Sequence, residues 1–130
     1  MLLARVVTIA LAVLFVGMGI THFVPAIARG MGAMIPQRMR GPFSAKALVR
    51  FTGVCEIAGG IGLLVPSVRV ASAIAFCVFL LAVFPANVVA SRHPERFGRA
   101  AIPLVPRAIG QLVLIAVLVY VAVADVRGLL

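Results

Sequence analysis

Acidic side chains are almost missing from this chain: 3 Asp and Glu stand against 12 Lys and Arg in 130 residues. Charged residues of both signs make up 12% of it, while 64% is hydrophobic and the mean hydropathy is +1.23. Too few polar side chains remain to coat a soluble globule. There are only 2 cysteines, Cys55 and Cys77, and no C-x-x-C. That removes the signature of a membrane dithiol oxidoreductase and leaves each cysteine as a small hydrophobe. No H-x-x-x-H or Cys/His cluster offers a metal site. No glycine-rich loop follows a strand, and no serine has a partnered His and Asp, so a phosphate cradle and a serine nucleophile are not indicated. A haem ligand pair, a flavin motif and cluster-binding cysteines are also missing. The chain is therefore not expected to be catalytic on its own.

What the chain has instead is long uncharged runs. Arg5 and Arg29 bracket 23 uncharged residues; Arg50 and Arg69 bracket 18, with Glu56 the one charge among them; Arg69 and Arg92 bracket 22; Arg107 and Asp125 bracket 17. A spanning helix needs about 20 mostly apolar residues, and helices satisfy their own backbone in hydrocarbon where open strands do not. The sequence predicts an all-α, four-transmembrane-helix antiparallel bundle forming one domain over residues 1–130. Its helices are placed at roughly 2–24, 47–65, 68–90 and 107–126. The first run exceeds the about 7–15 residues of a signal-peptide core and is followed by no small-x-small cleavage pattern, so it reads as a retained anchor. Pro25 ends helix 1, the Pro66-Ser67 turn makes helices 2 and 3 neighbours, and Pro85 should kink helix 3. In the loop between helices 1 and 2, Phe23, Ile27, Met31 and Met34 recur at helical spacing opposite Arg29, which predicts a short interfacial helix.

The net charge of +9 is unevenly placed. Loop 1–2 holds Arg29, Arg38, Arg40, Lys46 and Arg50, and loop 3–4 holds Arg92, Arg96, Arg99 and Arg107; the other side has only Arg5, Arg69 and Arg127. Short loops rich in Lys and Arg stay cytoplasmic. This places loops 1–2 and 3–4 in the cytoplasm and both termini outside, in the plasma (inner) membrane. The basic residues then face anionic lipid headgroups, and nucleic acid is excluded as a partner.

Each predicted helix carries one conspicuous polar residue on the loop 1–2 and 3–4 side: His22, Glu56, Asn87 and Gln111. A carboxylate at the centre of a bilayer costs about 2.5–3.5 kcal/mol on insertion scales, so it tends to face the interior and carry function. Glu56 shares a helix stripe with Thr52, Gly53, Gly59, Gly60 and Leu63 and should point inward. His22 is expected to reach it only through a water or through Thr52. The candidate polar pocket is thus His22, Thr52, Glu56, Asn87 and Gln111, without a catalytic residue or a metal. Asn and Gln can also serve only as interhelical glue, at about 0.6 kcal/mol per bond.

Taken in order, several short motifs accompany these residues: Gly19-Ile20-Thr21-His22-Phe23 with Pro25, then Met34-Ile35-Pro36, then Gly53-Val54-Cys55-Glu56-Ile57. Gly59-Gly60-Ile61-Gly62-Leu63-Leu64 before Pro66, Phe84-Pro85-Ala86-Asn87 and Gln111 complete the series. The ordered set, covering nearly the whole chain, resembles the DoxX-like family of small four-helix membrane proteins. That resemblance implies kinship with small subunits of quinone-linked oxidases, with partners of detoxifying or redox enzymes and, more distantly, with membrane assembly chaperones. It places emphasis on His22, Glu56, Pro85, Asn87 and Gln111 without assigning a catalytic role.

Two readings follow. In the first, the chain is an accessory or anchor subunit of a membrane redox or detoxification system. Its polar pocket faces a bound quinone or lipid, with Phe15, Phe76, Phe79 and Phe84 along the tail, and a protein partner supplies the electrons. In the second, it is a membrane scaffold or assembly factor, alone or as a homo-oligomer, whose polar layer only fixes packing. A proton path through Glu56 and His22 is disfavoured, because no ladder of charges crosses the outer half. The topology is checked by single cysteines introduced into loop 1–2 of a Cys55- and Cys77-free chain. They should react with an impermeant maleimide only after the cells are broken, and labelling of intact cells would reverse the orientation.

Overall fold

A computed structural model describes residues 1–130, the side chain of Ala100 excepted. In chain order the elements are α1 (Leu2–Thr21), α2 (Pro25–Met34), α3 (Gln37–Arg40), α4 (Ala45–Leu64), α5 (Arg69–Arg92), α6 (Pro94–Phe97), a 3-10 turn (Gly98–Ala100) and α7 (Leu104–Val126). No strand occurs among the described residues. Four helices, α1, α4, α5 and α7, are long and apolar enough to cross a membrane. Large apolar side chains on all four face outward, among them Val13, Phe51, Val78 and Leu112. This is the composition and surface of an integral membrane protein.

The boundaries follow from local chemistry, and several differ from the expectation. Helix α1 ends at Thr21 rather than 24: the chain turns at His22 and Phe23, and Pro25 opens α2 instead of merely stopping α1. Proline suits a first helical position because that N–H has no partner in any case. Helix α4 begins at Ala45, two residues earlier than expected, because the Ser44 hydroxyl accepts from the Ala47 N–H at 3.1 Å. Such a cap satisfies one of the orphan donors of the first turn. It ends before Pro66, which disfavours helical backbone in the preceding residue. Helix α7 begins at Leu104, with Pro106 tolerated inside its first turn. Pro85 lies within α5 and does not end it.

Helix α1 packs chiefly on α4, and α5 on α7, with α4 joining the two pairs. Small residues set the first contact. A Cβ on Gly53 would lie 2.6 Å from the His22 Cβ and 3.0 Å from the Gly19 carbonyl oxygen; one on Gly60 would lie 2.8 Å from Val16 Cγ2 and 3.1 Å from the Ala12 carbonyl oxygen. The shared core holds Leu11, Ala12 and Phe15 of α1, Leu63 of α4, Ala73, Phe76 and Leu80 of α5, and Leu118 and Val121 of α7. Phe15 and Phe76 stack with ring centroids 3.8 Å apart at 15°. Phe76 also fills the notch left by Gly59.

The other end of the helices is held by a charge the sequence reading left as a boundary residue. Arg69 is buried: its Nε donates to the Leu63 carbonyl at 2.7 Å, and Nη1 pairs with Asp125 of α7. One guanidinium thereby closes the C-terminal turn of α4, the start of α5 and the end of α7, favouring the negative end of the α4 dipole. The N-terminal ammonium donates to the Leu129 carbonyl nearby.

Gly60→Val should lower stability by about 1–3 kcal/mol, the usual range for overpacking. Gly17→Ala, where an added Cβ meets nothing within 4 Å, should be neutral or slightly stabilising. Thermal unfolding of both variants in one detergent measures the difference; equal melting temperatures would show that α1 and α4 are not held at contact by Gly60.

Candidate functional site

The α1–α4 contact delivers His22 onto α4. With α1 ended at Thr21, the His22 ring lies over the preceding turn, and Nδ1 comes 2.8 Å from the Val49 carbonyl oxygen and 3.1 Å from Thr52 Oγ1. A carbonyl only accepts, so Nδ1 carries the proton and donates. The Thr52 hydroxyl donates to the same carbonyl at 2.9 Å. That fixes the ring and turns Nε2 toward Glu56, whose Oε2 lies 3.3 Å away. His22 and Glu56 are each 8% exposed. The pair therefore meets directly, in place of the expected route through water or Thr52: Gly53 removes the Cβ that would have held the helices apart. Oε2 is at ion-pair distance from Nε2 yet outside hydrogen-bond alignment, and it has no hydrogen bond among the described residues.

These groups line a cavity of about 450 Å³. Small-molecule sites commonly fall between about 300 and 1,000 Å³ and are mostly apolar with a few placed polar groups. Here α4 contributes Leu48, Val49, Thr52 and Glu56, one face at three- and four-residue spacing, and α5 contributes Phe79, Val83, Ala86 and Asn87 in the same way. Phe15 and Leu114 add a wall from α1 and α7. Met18, Met31, Met34 and Met39 also line it, four of the 5 methionines in the chain. Unbranched thioether side chains adapt to irregular ligands more readily than branched ones.

Of the five expected pocket residues, His22, Thr52 and Glu56 are in mutual contact. Asn87 lines the same cavity, but its Oδ1 accepts from Arg107 Nη1 at 2.8 Å and so ties α5 to α7. Gln111 is half-buried and does not line the cavity; Leu114, one turn further along α7, does. The expected single cluster of five is thus a tight group of three, with Asn87 apart on the same cavity wall and Gln111 off it. Of the phenylalanines expected along a ligand tail, Phe15 and Phe79 line the cavity, whereas Phe76 is spent on the Gly59 notch and the core, and Phe84 is not on the wall. The methionine lining was missed, although all four of these residues fall between positions 18 and 39.

Four membrane-length helices bordering a largely apolar cavity lined by a buried His–Glu pair define the class: an integral membrane protein with a small-molecule-sized chamber. The chain belongs to the family described as Domain of unknown function (DUF8561), whose model matches residues 11–126 and so takes in all five expected pocket residues. No curated protein and no solved structure matches the chain.

Breaking a buried ion pair by removing one partner costs about 3–5 kcal/mol, whereas replacing both by apolar groups can be neutral. His22→Leu should therefore destabilise the protein strongly, and Glu56→Leu in the same chain should restore most of the loss. A double-mutant cycle read by thermal unfolding in detergent checks this; additive losses would mean that the two residues are not coupled.

Proposed function

We propose that the protein is an accessory or anchor subunit of a membrane redox or detoxification system, DoxX-like in character. Its chamber holds a small amphiphile of the quinone type, with the ligand head at His22 and Glu56. The observation that carries this reading is the chamber itself: a cavity of ligand size, mostly apolar with a few polar groups, bordered by membrane-length helices. In the quinol form, whose hydroxyls donate where the carbonyls of a quinone only accept, the ligand head would fill the open acceptor on Glu56 Oε2. The methionine and phenylalanine walls suit an apolar, unbranched or ring-bearing body. Electrons would come from a protein partner, since the sequence carries no redox-centre motif.

In this reading the four long helices form an antiparallel bundle. Support comes from the contacts of Gly53 with Gly19 and of Gly60 with Ala12, where position rises along α4 as it falls along α1. Helix α2 would lie at the interface, with Phe23 and Ile27 turned outward to lipid. The basic loops would face the cytoplasm by charge bias.

A second reading, a scaffold or assembly factor, is favoured by one observation: His22 sits over the Gly19–Gly53 contact and bonds the Val49 backbone, where it could serve packing alone. Mass spectrometry of lipids and proteins copurifying in mild detergent separates the two. A quinone retained by the wild type and lost from Glu56→Gln is expected. The same protein partner in both samples, with no quinone in either, would replace the ligand reading by the scaffold.

A further inference from the structure

Outside the chamber, on the opposite side of α2, lies a second cavity of about 530 Å³, walled by α2, the loop that follows it and the first turns of α4. Its charged lining is Arg29, Arg40, Lys46 and Arg50, with no acidic residue. The acidic side chains of the chain number only 3, and each is engaged elsewhere: Glu56 with His22, Glu95 with His93 and Asp125 with Arg69. Among the described residues no carboxylate side chain lines the cavity to neutralise the four cations.

Arg40 is held in place as a fixed charge. Its Nε and Nη2 donate to the Ile35 carbonyl at 3.2 and 3.0 Å, and Nη2 also donates to the Gly32 carbonyl at 3.2 Å. Arg29, Lys46 and Arg50 are exposed, with no ion pair among the described residues. Ala45 and Lys46 open α4, where the amide N–H groups of the first turn lack helical acceptors and the dipole adds positive potential. Phe23 and Pro25 supply an apolar wall beside the cations.

Four cations, three of them arginines with planar guanidinium groups, at a helix start match the several acceptor oxygens of a phosphate group. An apolar wall alongside matches the glycerol and first methylenes of a lipid, and basic pockets between membrane helices bind anionic headgroups in this manner. We propose that this cavity is a binding site for a phosphate-bearing anion, the phosphodiester headgroup of an anionic lipid. The site is separate from the chamber and independent of what the chamber holds, with His22 as the one residue lining both.

The test is native mass spectrometry of the full chain in mild detergent with added phosphatidylglycerol or phosphatidylcholine, each with and without excess inorganic phosphate. Phosphatidylglycerol should be retained preferentially. Lys46→Gln/Arg50→Gln should weaken its retention by about thirtyfold, from two interfacial cations. Arg29→Gln, on another helix, should weaken it independently, so a folding defect in α4 does not decide the outcome. Arg96→Gln/Arg99→Gln, which removes the same charge from the other basic loop, should leave it unchanged. Retention that survives inorganic phosphate identifies the lipid as the source; displacement by inorganic phosphate identifies a free phosphate or phosphomonoester bound by the same groups. Equal retention of both lipids with no effect of phosphate, equal loss in the two double variants, or binding of neither lipid nor phosphate would overturn the site.

Discussion

The distance at which α1 and α4 meet governs the placement of His22, Thr52 and Glu56, the polar group at the centre of the candidate site. Helices in lipid gain nothing from hiding apolar surface from one another, so their contact rests on close packing and on bonds made at short range. Gly53 is where that packing is tightest, with the His22 Cβ and the Gly19 carbonyl occupying the space a side chain would need. Because the helices touch there, the imidazole reaches the Val49 carbonyl and Glu56 at once. A larger residue at 53 would move His22 away from both, and the carboxylate would be left in an apolar interior without its base. The cost of burying Glu56 is thus controlled by a glycine one helical turn away.

The scarcity of acids gives the remaining charges their arrangement. Two of the three acidic residues each face a basic partner from another element: Glu56, midway along α4, with His22, and Asp125, at the end of α7, with Arg69. Between the two pairs the interior is closed by the Phe15–Phe76 stack, seated against Gly59. Phe15 is the common wall: one side belongs to the core and the other to the chamber. The chamber therefore ends where aromatic packing begins, and its α4 wall runs from Leu48, beside the basic loop, to Glu56.

The four long helices were legible because a charge-free run of about 20 residues admits few alternatives in a membrane. Each span was located to within a few residues, and the discrepancies came from Ser44, Pro25 and Pro106, whose capping and first-turn roles depend on which helix they join. The inward face of Glu56 was legible from the small residues on its stripe. Its partner was not: whether His22 reaches it depends on the approach distance of two helices, which no local pattern encodes. Asn87 and Gln111 were grouped with it on depth alone, but rotation about the helix axis sends Asn87 to Arg107 and leaves Gln111 off the chamber wall. Arg69 was misjudged for the same reason, since a charge flanking a span can turn inward when a carbonyl and a carboxylate await it.

The two cavities have opposite electrostatic preferences and share one residue. In the chamber, Nδ1 of His22 donates to the Val49 carbonyl, which leaves Nε2 facing the Glu56 carboxyl at 3.3 Å. Oε2 still has acceptor capacity unfilled, so the chamber favours a head that donates and opposes an anion. On the other side of α2, four cations without a carboxylate favour the reverse. His22 stands in the wall between them, fixed through a backbone carbonyl that belongs to neither ligand. The two cavities therefore select opposite charges while meeting at one ring, held by the Val49 carbonyl of α4.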